Sequence, residues 1–117
     1  MTENLKREID PELAAELIRY KAGEYGKAKG DRVYLEEFRR SKKALLMKDC
    51  LAMGIEAANA QEREALADPE YVSLLKGLSA AIEKEETLRW ELESARLEIE
   101  IWRTRQANER AIVKSHE

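Results

Sequence analysis

Four arginines recur at every seventh residue near the end of the chain, at Arg89, Arg96, Arg103 and Arg110. Residues at this spacing lie on nearly the same face of an α-helix, so the four guanidinium groups would form one row. A guanidinium group can bind phosphate oxygens or a carboxylate through two parallel hydrogen bonds. The row can therefore contact the backbone of a nucleic acid, or it can pair with acidic side chains of a neighbouring helix.

A second group of cations lies earlier in the chain, in the sequence Arg-Arg-Ser-Lys-Lys at residues 39–43. Basic side chains contact phosphates without reading the base sequence, and aromatic side chains such as Tyr34 and Trp102 can stack on unpaired bases. Alone, this cluster would more often be a solvated helix face. Together with the later arginines it predicts a site for single-stranded DNA, formed by Arg39, Arg40, Lys42, Lys43, Arg103, Arg105 and Arg110.

Apolar residues place the arginine row on one long helix. Between residues 71 and 102 they recur in alternating steps of three and four, at Tyr71, Leu74, Leu78, Ala81, Leu88, Leu92, Ala95, Ile99 and Trp102. This spacing is a heptad repeat, which predicts a helix whose a and d positions form a seam against a second helix. The arginines of the row occupy e positions beside the seam. Glu85 occupies an a position, where a polar residue typically specifies register or partner.

Two Asp-Pro-Glu triplets, at residues 10–12 and 68–70, are typical of helix starts. The aspartate can accept hydrogen bonds from free backbone amides, proline suits the first helical position, and glutamate complements the helix dipole. Glycines at positions 23, 26 and 30 favour a connector, and Asp31 after them is a candidate cap. We therefore predict a single all-α domain, with a frayed segment 1–10, a short helix 11–28, and two long helices, 32–66 and 69–114, in an antiparallel coiled-coil-like hairpin.

The predicted hairpin brings the two basic segments together. With its turn centred near Asp68, it would place Phe38 beside Ile99 and Trp102, and residues 39–43 near Arg96, Arg103 and Arg105. The first two arginines of the row would then face the acidic half of the hairpin, where the candidate partners are Glu36, Glu37, Glu56 and Glu62. The last two would face a basic neighbour, so phosphate contact is there the alternative to an internal ion pair.

Large apolar side chains remain off the predicted seam of the last helix, at Trp90, Leu97 and Ile101. One antiparallel contact cannot bury them, and exposed apolar residues of this size on a long helix usually indicate self-association. We therefore predict a homo-oligomer whose interface contains Trp90, Leu97, Ile101 and Trp102.

Charge is unevenly distributed along the 117 residues, of which 38% are charged, for a net charge of −3. Residues 18–48 contain ten Lys and Arg against four Asp and Glu, whereas residues 56–100 contain five against twelve. No apolar run is long enough to span a membrane, and the N-terminus lacks the apolar core of a signal peptide. The single cysteine, Cys50, predicts a small core residue in a reducing cytoplasm.

Residues suited to catalysis or metal binding are nearly absent. The single histidine, His116, lies next to the last residue, and no Cys/His spacing suggests a zinc site. Most carboxylates lie three or four residues from Lys or Arg, which is the spacing of surface ion pairs. The glycine segment with Lys27 and Lys29 matches no phosphate-binding motif and favours a flexible connector. We expect no enzymatic activity and no cofactor.

The segment ADPEYVSLLKGLSAAIEKEETLRWELESARLEIEIWRTRQANERA resembles small helical proteins that tailed phages and prophages carry near recombination genes. Residues 20–111 also resemble the UvsY-type family of phage recombination mediators. In that family, a Lys-rich helix with tyrosines and an acidic turn precede a long helix with a basic end. The resemblance implies an oligomer in the bacterial cytoplasm that binds single-stranded DNA and helps to load a recombinase onto strands covered by single-strand-binding protein. The positions that match for DNA are Lys42, Lys43, Arg103, Arg105 and Arg110.

Three functions therefore stay open at the level of sequence. The first is a non-enzymatic accessory protein of phage DNA recombination that assists a recombinase or an annealing protein. The second is a protein–protein adaptor, or a small phage inhibitor of a host defence complex, without nucleic-acid binding; its seam would dock a partner helix. The third is a coiled-coil component of a virion.

Overall fold

The computed structural model of the chain describes residues 8–116. This range contains no strand and forms three helices, α1 (Pro11–Ala52), α2 (Ala58–Ala67) and α3 (Pro69–Ser115). The predicted all-α fold with a helical hairpin is confirmed. The predicted frayed segment falls largely on residues 1–7, outside the described residues. Within residues 8–116, no helix has the length and apolar character that a membrane crossing requires.

Both Asp-Pro-Glu triplets begin helices, as their residues predict. The Asp10 carboxylate oxygen Oδ1 accepts hydrogen bonds from the backbone N–H groups of Glu12 and Leu13, at 3.0 and 3.2 Å. The Asp68 Oδ1 atom accepts one from the N–H of Glu70 at 2.8 Å. Each aspartate therefore satisfies amides that the first helical turn leaves without a carbonyl partner.

The predicted helix break between residues 28 and 32 is wrong, because α1 runs continuously through Gly23, Gly26 and Gly30. Asp31, the predicted cap, lies inside this helix. A glycine in a helix costs roughly 1 kcal/mol relative to alanine, a cost that burial along a long seam can outweigh. Such a seam is present: residues at steps of three and four are buried or half-buried, namely Ala14, Ile18, Lys21, Tyr25, Ala28, Arg32, Leu35, Arg39, Lys42 and Leu46.

The first helix of the hairpin ends at Ala52, not near residue 66. Gly54 has a φ of +93°, a conformation that residues with a side chain rarely adopt. The N–H group of Ile55 donates to the Cys50 carbonyl at 3.0 Å, so the chain folds back on the last turn of α1. The predicted helix 32–66 therefore corresponds to the last part of α1 and to α2, which this turn joins. Cys50, predicted as a core residue, is half-buried.

Contacts divide the chain into two compact units. Unit 1 contains Met1–Tyr25 and Thr87–Glu117, and unit 2 contains Gly26–Glu86. The core of unit 2 is a cluster of Leu46, Ala65 and Tyr71, one from each helix, with Met47 packed against it. Because Ala65 is small and only 1% exposed, α2 can approach α1 and α3 closely.

The predicted seam of α3 is confirmed. All ten residues assigned to its a and d positions, from Tyr71 to Trp102, are buried or half-buried. The seam includes Glu85, which is 7% exposed. This fixes which side chains of α3 point away from α1 and are available for contacts with other molecules.

Candidate functional site

An ion pair between the half-buried Arg32 and the buried Glu85 joins the two seams in unit 2. Arg32 donates two hydrogen bonds to Glu85, from Nε to Oε2 at 2.6 Å and from Nη2 to Oε1 at 3.0 Å. A third donor of Arg32, Nη1, binds Glu36 at 3.0 Å. Hydrogen bonding to Glu85 is the main cause that raises the pKa of Arg32 above its usual value. Because both hydrogen bonds need one alignment of α1 and α3, the pair acts as the register-specifying feature that the position of Glu85 predicts.

The pairing of α1 with α3 differs from the predicted register. Lys42 Nζ donates to Glu70 at 2.5 Å, which places Lys42 beside the first turn of α3. Lys43 Nζ donates to Glu62 of α2 at 2.7 Å. The predicted neighbourhoods of Phe38 and of residues 39–43 are therefore wrong, because α1 ends at Ala52 and not at residue 66, where the predicted helix ends. The earlier turn shifts the facing residues of the two helices.

The predicted DNA-binding residues consequently fall into two groups. Arg39, Arg40, Lys42 and Lys43 belong to unit 2, and Arg103, Arg105 and Arg110 belong to unit 1. In the first group Arg39 is half-buried in the seam and Arg40 is exposed. The hydrogen bond from Lys42 to Glu70 is the main cause that raises the pKa of Lys42. Three of these four residues, Arg39, Lys42 and Lys43, therefore serve the internal packing of unit 2.

The arginine row lies on the exposed side of α3, beside the seam. The guanidinium carbon of Arg89 lies 4.7 Å from the centre of the Trp90 ring, within the range of a cation–π contact. Arg96 pairs with Glu93 of its own helix at 2.6 Å, so its predicted pairing with an acid of the neighbouring helix is wrong. That pair, chiefly through its hydrogen bonds, raises the pKa of Arg96 and lowers the pKa of Glu93.

The predicted acidic partners of the row are partly engaged elsewhere. Glu36 binds Arg32, and Glu62 binds Lys43. Arg103 has a longer contact with Glu100 of its own helix, at 3.5 Å. The row is thus held mainly by local contacts along α3.

The last part of α3 has no residue in the seam. Gln106 is half-buried, whereas all residues from 107 to 116 are exposed. Ile112 and Val113, with exposed fractions of 58% and 63%, lie in this terminal segment beside Arg110 and Lys114. The terminal segment therefore exposes apolar and basic side chains together.

A second stripe follows the outer face of α3 in unit 1, at the c and f positions of the same heptads. We call it the outer stripe; all nine of its residues are exposed and none is charged, and they are Thr87, Trp90, Ser94, Leu97, Ile101, Thr104, Asn108, Ala111 and Ser115. Because 38% of the chain is charged, an exposed face of nine uncharged residues is a clear departure from the rest of its surface. A face of this kind is typical of a surface that another molecule covers.

The outer stripe contains three of the four predicted interface residues. Trp90, Leu97 and Ile101 are 57%, 46% and 46% exposed, as their positions off the seam predict. Trp102 is instead a half-buried residue of the seam. The polar members of the stripe were not identified in the sequence, because they carry no apolar periodicity.

Among residues 8–116, no group of three or more His, Cys, Asp or Glu side chains is placed to hold a metal ion. Comparison of the chain with protein-family models, curated proteins and solved structures found no match.

Proposed function

We propose that this chain is a non-enzymatic helical module that binds a protein helix along the outer stripe of α3. The observation that carries the proposal is the stripe itself, which is exposed and uncharged over nine heptad positions. Its apolar anchors lie seven and then four residues apart, at Trp90, Leu97 and Ile101. This is the spacing with which one helix face engages another.

The chemistry of the anchors supports this proposal. Tryptophan is enriched among the residues that dominate binding energy at protein interfaces. Leu97 and Ile101 continue its apolar surface over about three further turns of α3. Burying an exposed aliphatic side chain contributes about 1.5–3 kcal/mol before the costs of association are subtracted. Ser94 between the anchors, and Thr104 and Ala111 beyond them, are small enough to allow close approach of a partner helix.

The proposal predicts that two acidic substitutions on the stripe abolish partner binding without unfolding the chain. Leu97→Glu together with Ile101→Glu would place charges where a partner helix must exclude water, and such burial is costly. Tagged wild type and variant would be expressed in the same cells, and the proteins that co-purify with each would be compared by quantitative mass spectrometry. We expect partners of the wild type to be lost from the variant.

Leu45→Glu is the matched control, because Leu45 is 52% exposed and belongs to unit 2. This variant should retain the partners of the wild type. Circular dichroism of all three chains would show equal helicity. An identical set of partners for the wild type and the stripe variant would contradict the proposal.

A second candidate is binding of single-stranded DNA by the end of α3, which would fit a role in phage DNA recombination. Residues 101–116 contain four cations, Arg103, Arg105, Arg110 and Lys114, and one acidic residue, Glu109. All five of these side chains are exposed. The cations could contact phosphates on several sides of this end of α3.

This candidate predicts binding that weakens steeply with salt. Each phosphate neutralised on a single strand contributes about −0.7 to the slope of log K against log salt, so three or four contacts give a slope of roughly −2 to −3. Fluorescence anisotropy with a labelled oligonucleotide would measure the slope. Charge reversal at Arg103 and Arg105 should abolish binding, and Arg40→Glu in unit 2 should not. No binding at low salt would exclude this function.

A further inference from the structure

The charge beside the outer stripe changes sign along α3. Residues 87–100 contain four glutamates and two arginines, a balance of −2, whereas residues 101–116 contain four cations and one glutamate, a balance of +3. The sign changes next to Ile101, near the middle of the stripe. The uncharged face is therefore flanked by an acidic half and a basic half.

This polarity selects among the possible occupants of the stripe. A second α3 in parallel orientation would place acidic half beside acidic half and basic half beside basic half. An antiparallel α3 would place each acidic half beside a basic half, and complementary charges at an interface rim fix orientation and suppress wrong pairings. The charges of one α3 are therefore complementary to those of a second α3 in antiparallel orientation.

The distribution of side-chain size agrees with the same orientation. In an antiparallel pair with its two-fold axis close to Ile101, the apolar residues Leu97 and Ile101 of both copies lie near the axis. Trp90 of one copy lies beside the region of Asn108 and Ala111 of the other. A large ring at one end of the stripe is thereby matched with small or short side chains at the other end, which is how facing helices fill space.

The terminal segment supplies a third argument. Residues 107–115 are helical but exposed on every side. Short helices without a packing surface are marginal in water. An antiparallel second copy would place the first part of its own stripe against Asn108, Ala111 and Ser115 of this segment and would give the segment a packing surface.

We infer that the outer stripe binds a second copy of the chain, with the two α3 helices antiparallel. This inference rests on the proposed function and names the partner. The resulting interface is isologous, because each copy contributes the same nine positions. Leu97 and Ile101 form its centre, and the acidic and basic halves form its rim.

Solution mass tests the inference first. The wild type should be a dimer by multi-angle light scattering at micromolar concentration. The double variant Leu97→Glu, Ile101→Glu should associate on the order of 100-fold more weakly, because it charges the centre of the interface in both copies. Its helicity should stay at the wild-type value, and the Leu45→Glu control should remain a dimer.

Cross-linking tests the orientation in a background with Cys50→Ser. In the antiparallel pair the two copies of Trp90 would lie roughly 30 Å apart, and so would the two copies of Ala111, because each lies about ten residues from the two-fold axis at about 1.5 Å per residue. A short bis-maleimide reagent should therefore not link Trp90→Cys to itself or Ala111→Cys to itself. It should link the two variants when they are mixed, and it should link Ile101→Cys to itself.

Three results would overturn the inference: a monomeric wild type, a dimer that survives the double substitution, or self-linking of Trp90→Cys. The first result distinguishes the two proposals. If the wild type is a monomer and its co-purifying partner is lost in the double variant, the partner is not a second copy of the chain, and the proposed function still holds. A double variant that stays dimeric and keeps the partners of the wild type would contradict both proposals.

Discussion

Replacing Arg32 with methionine should lower the melting temperature of the chain by on the order of 10 °C. Glu85 is buried in the seam and receives two hydrogen bonds from Arg32 across the hairpin. Methionine has a similar length but no donor, so both hydrogen bonds are lost while the carboxylate stays buried. Removing the cation that pairs with a buried carboxylate is strongly destabilising for this reason. Thermal unfolding followed by circular dichroism would measure the change.

Two further variants distinguish the contribution of the Arg32–Glu85 ion pair to stability from that of the packing around it. The double variant Arg32→Leu, Glu85→Leu should recover most of the lost stability, because replacing a whole buried pair with apolar residues is often neutral or stabilising. Arg40→Met changes an exposed arginine of the same helix and should have little effect. Equal melting temperatures for Arg32→Met and Arg40→Met would show that the pair does not hold the two seams together.

Replacing Tyr71 with alanine should lower the free energy of unfolding by about 3 kcal/mol. Tyr71 is 6% exposed and lies in the cluster where α1, α2 and α3 meet. Its removal would leave a cavity beside Leu46 and Ala65, because helices held in a tight turn relax only in part. Urea unfolding followed by far-ultraviolet circular dichroism would give the free energy.

The adjacent residue provides the control for this prediction. Val72 is 39% exposed, so Val72→Ala removes less buried surface and should cost less than about 1 kcal/mol. A similar cost for both variants would mean that the cluster is not the main packing centre of the turn.

The fold of α3 could be predicted from sequence because its seam is almost entirely apolar. Each step from Tyr71 to Trp102 matches the heptad repeat, and each assigned position is buried or half-buried. The helix starts were also predictable, because the Asp-Pro-Glu triplets act within a few residues. Both features depend on residues that lie within a few positions of one another in the sequence.

The length of α1 could not be predicted from an apolar pattern in the same way. Its seam contains four cations, Lys21, Arg32, Arg39 and Lys42, so an apolar pattern is missing along much of its length. The cations are tolerated because facing acids pair with them: Lys21 binds Glu91, as Arg32 binds Glu85. Such pairing depends on the register of two distant segments. The three glycines of α1 added a misleading signal for a connector.

The position of the turn determined how much of the candidate site could be predicted. Gly54 alone indicated only a weak point in a helix, whereas its positive φ and the hydrogen bonds around it end α1. With the turn at Gly54, residues 39–43 belong to unit 2, whereas Arg103, Arg105 and Arg110 belong to unit 1. The anchors Trp90, Leu97 and Ile101 were identified correctly as exposed, because that depends only on the seam of α3.

The two long faces of α3 therefore have different roles in this account. The seam carries the contacts with α1, and Glu85 fixes their register. The outer stripe carries none of these contacts, and its charge-free surface is the part of unit 1 assigned to binding. A substitution on the stripe should accordingly affect association without the loss of stability expected for Arg32 or Tyr71.

Hydroxyl-radical footprinting most directly tests the claim that the outer stripe is a binding surface. Labelling of the chain inside expressing cells would be compared with labelling of the purified chain, diluted until light scattering shows a monomer. Trp90, Leu97 and Ile101 should be protected in cells, whereas Tyr34 and Leu45, which are 65% and 52% exposed in unit 2, should be labelled equally in both. Equal labelling of Trp90, Leu97 and Ile101 in cells and in dilute solution would contradict the account.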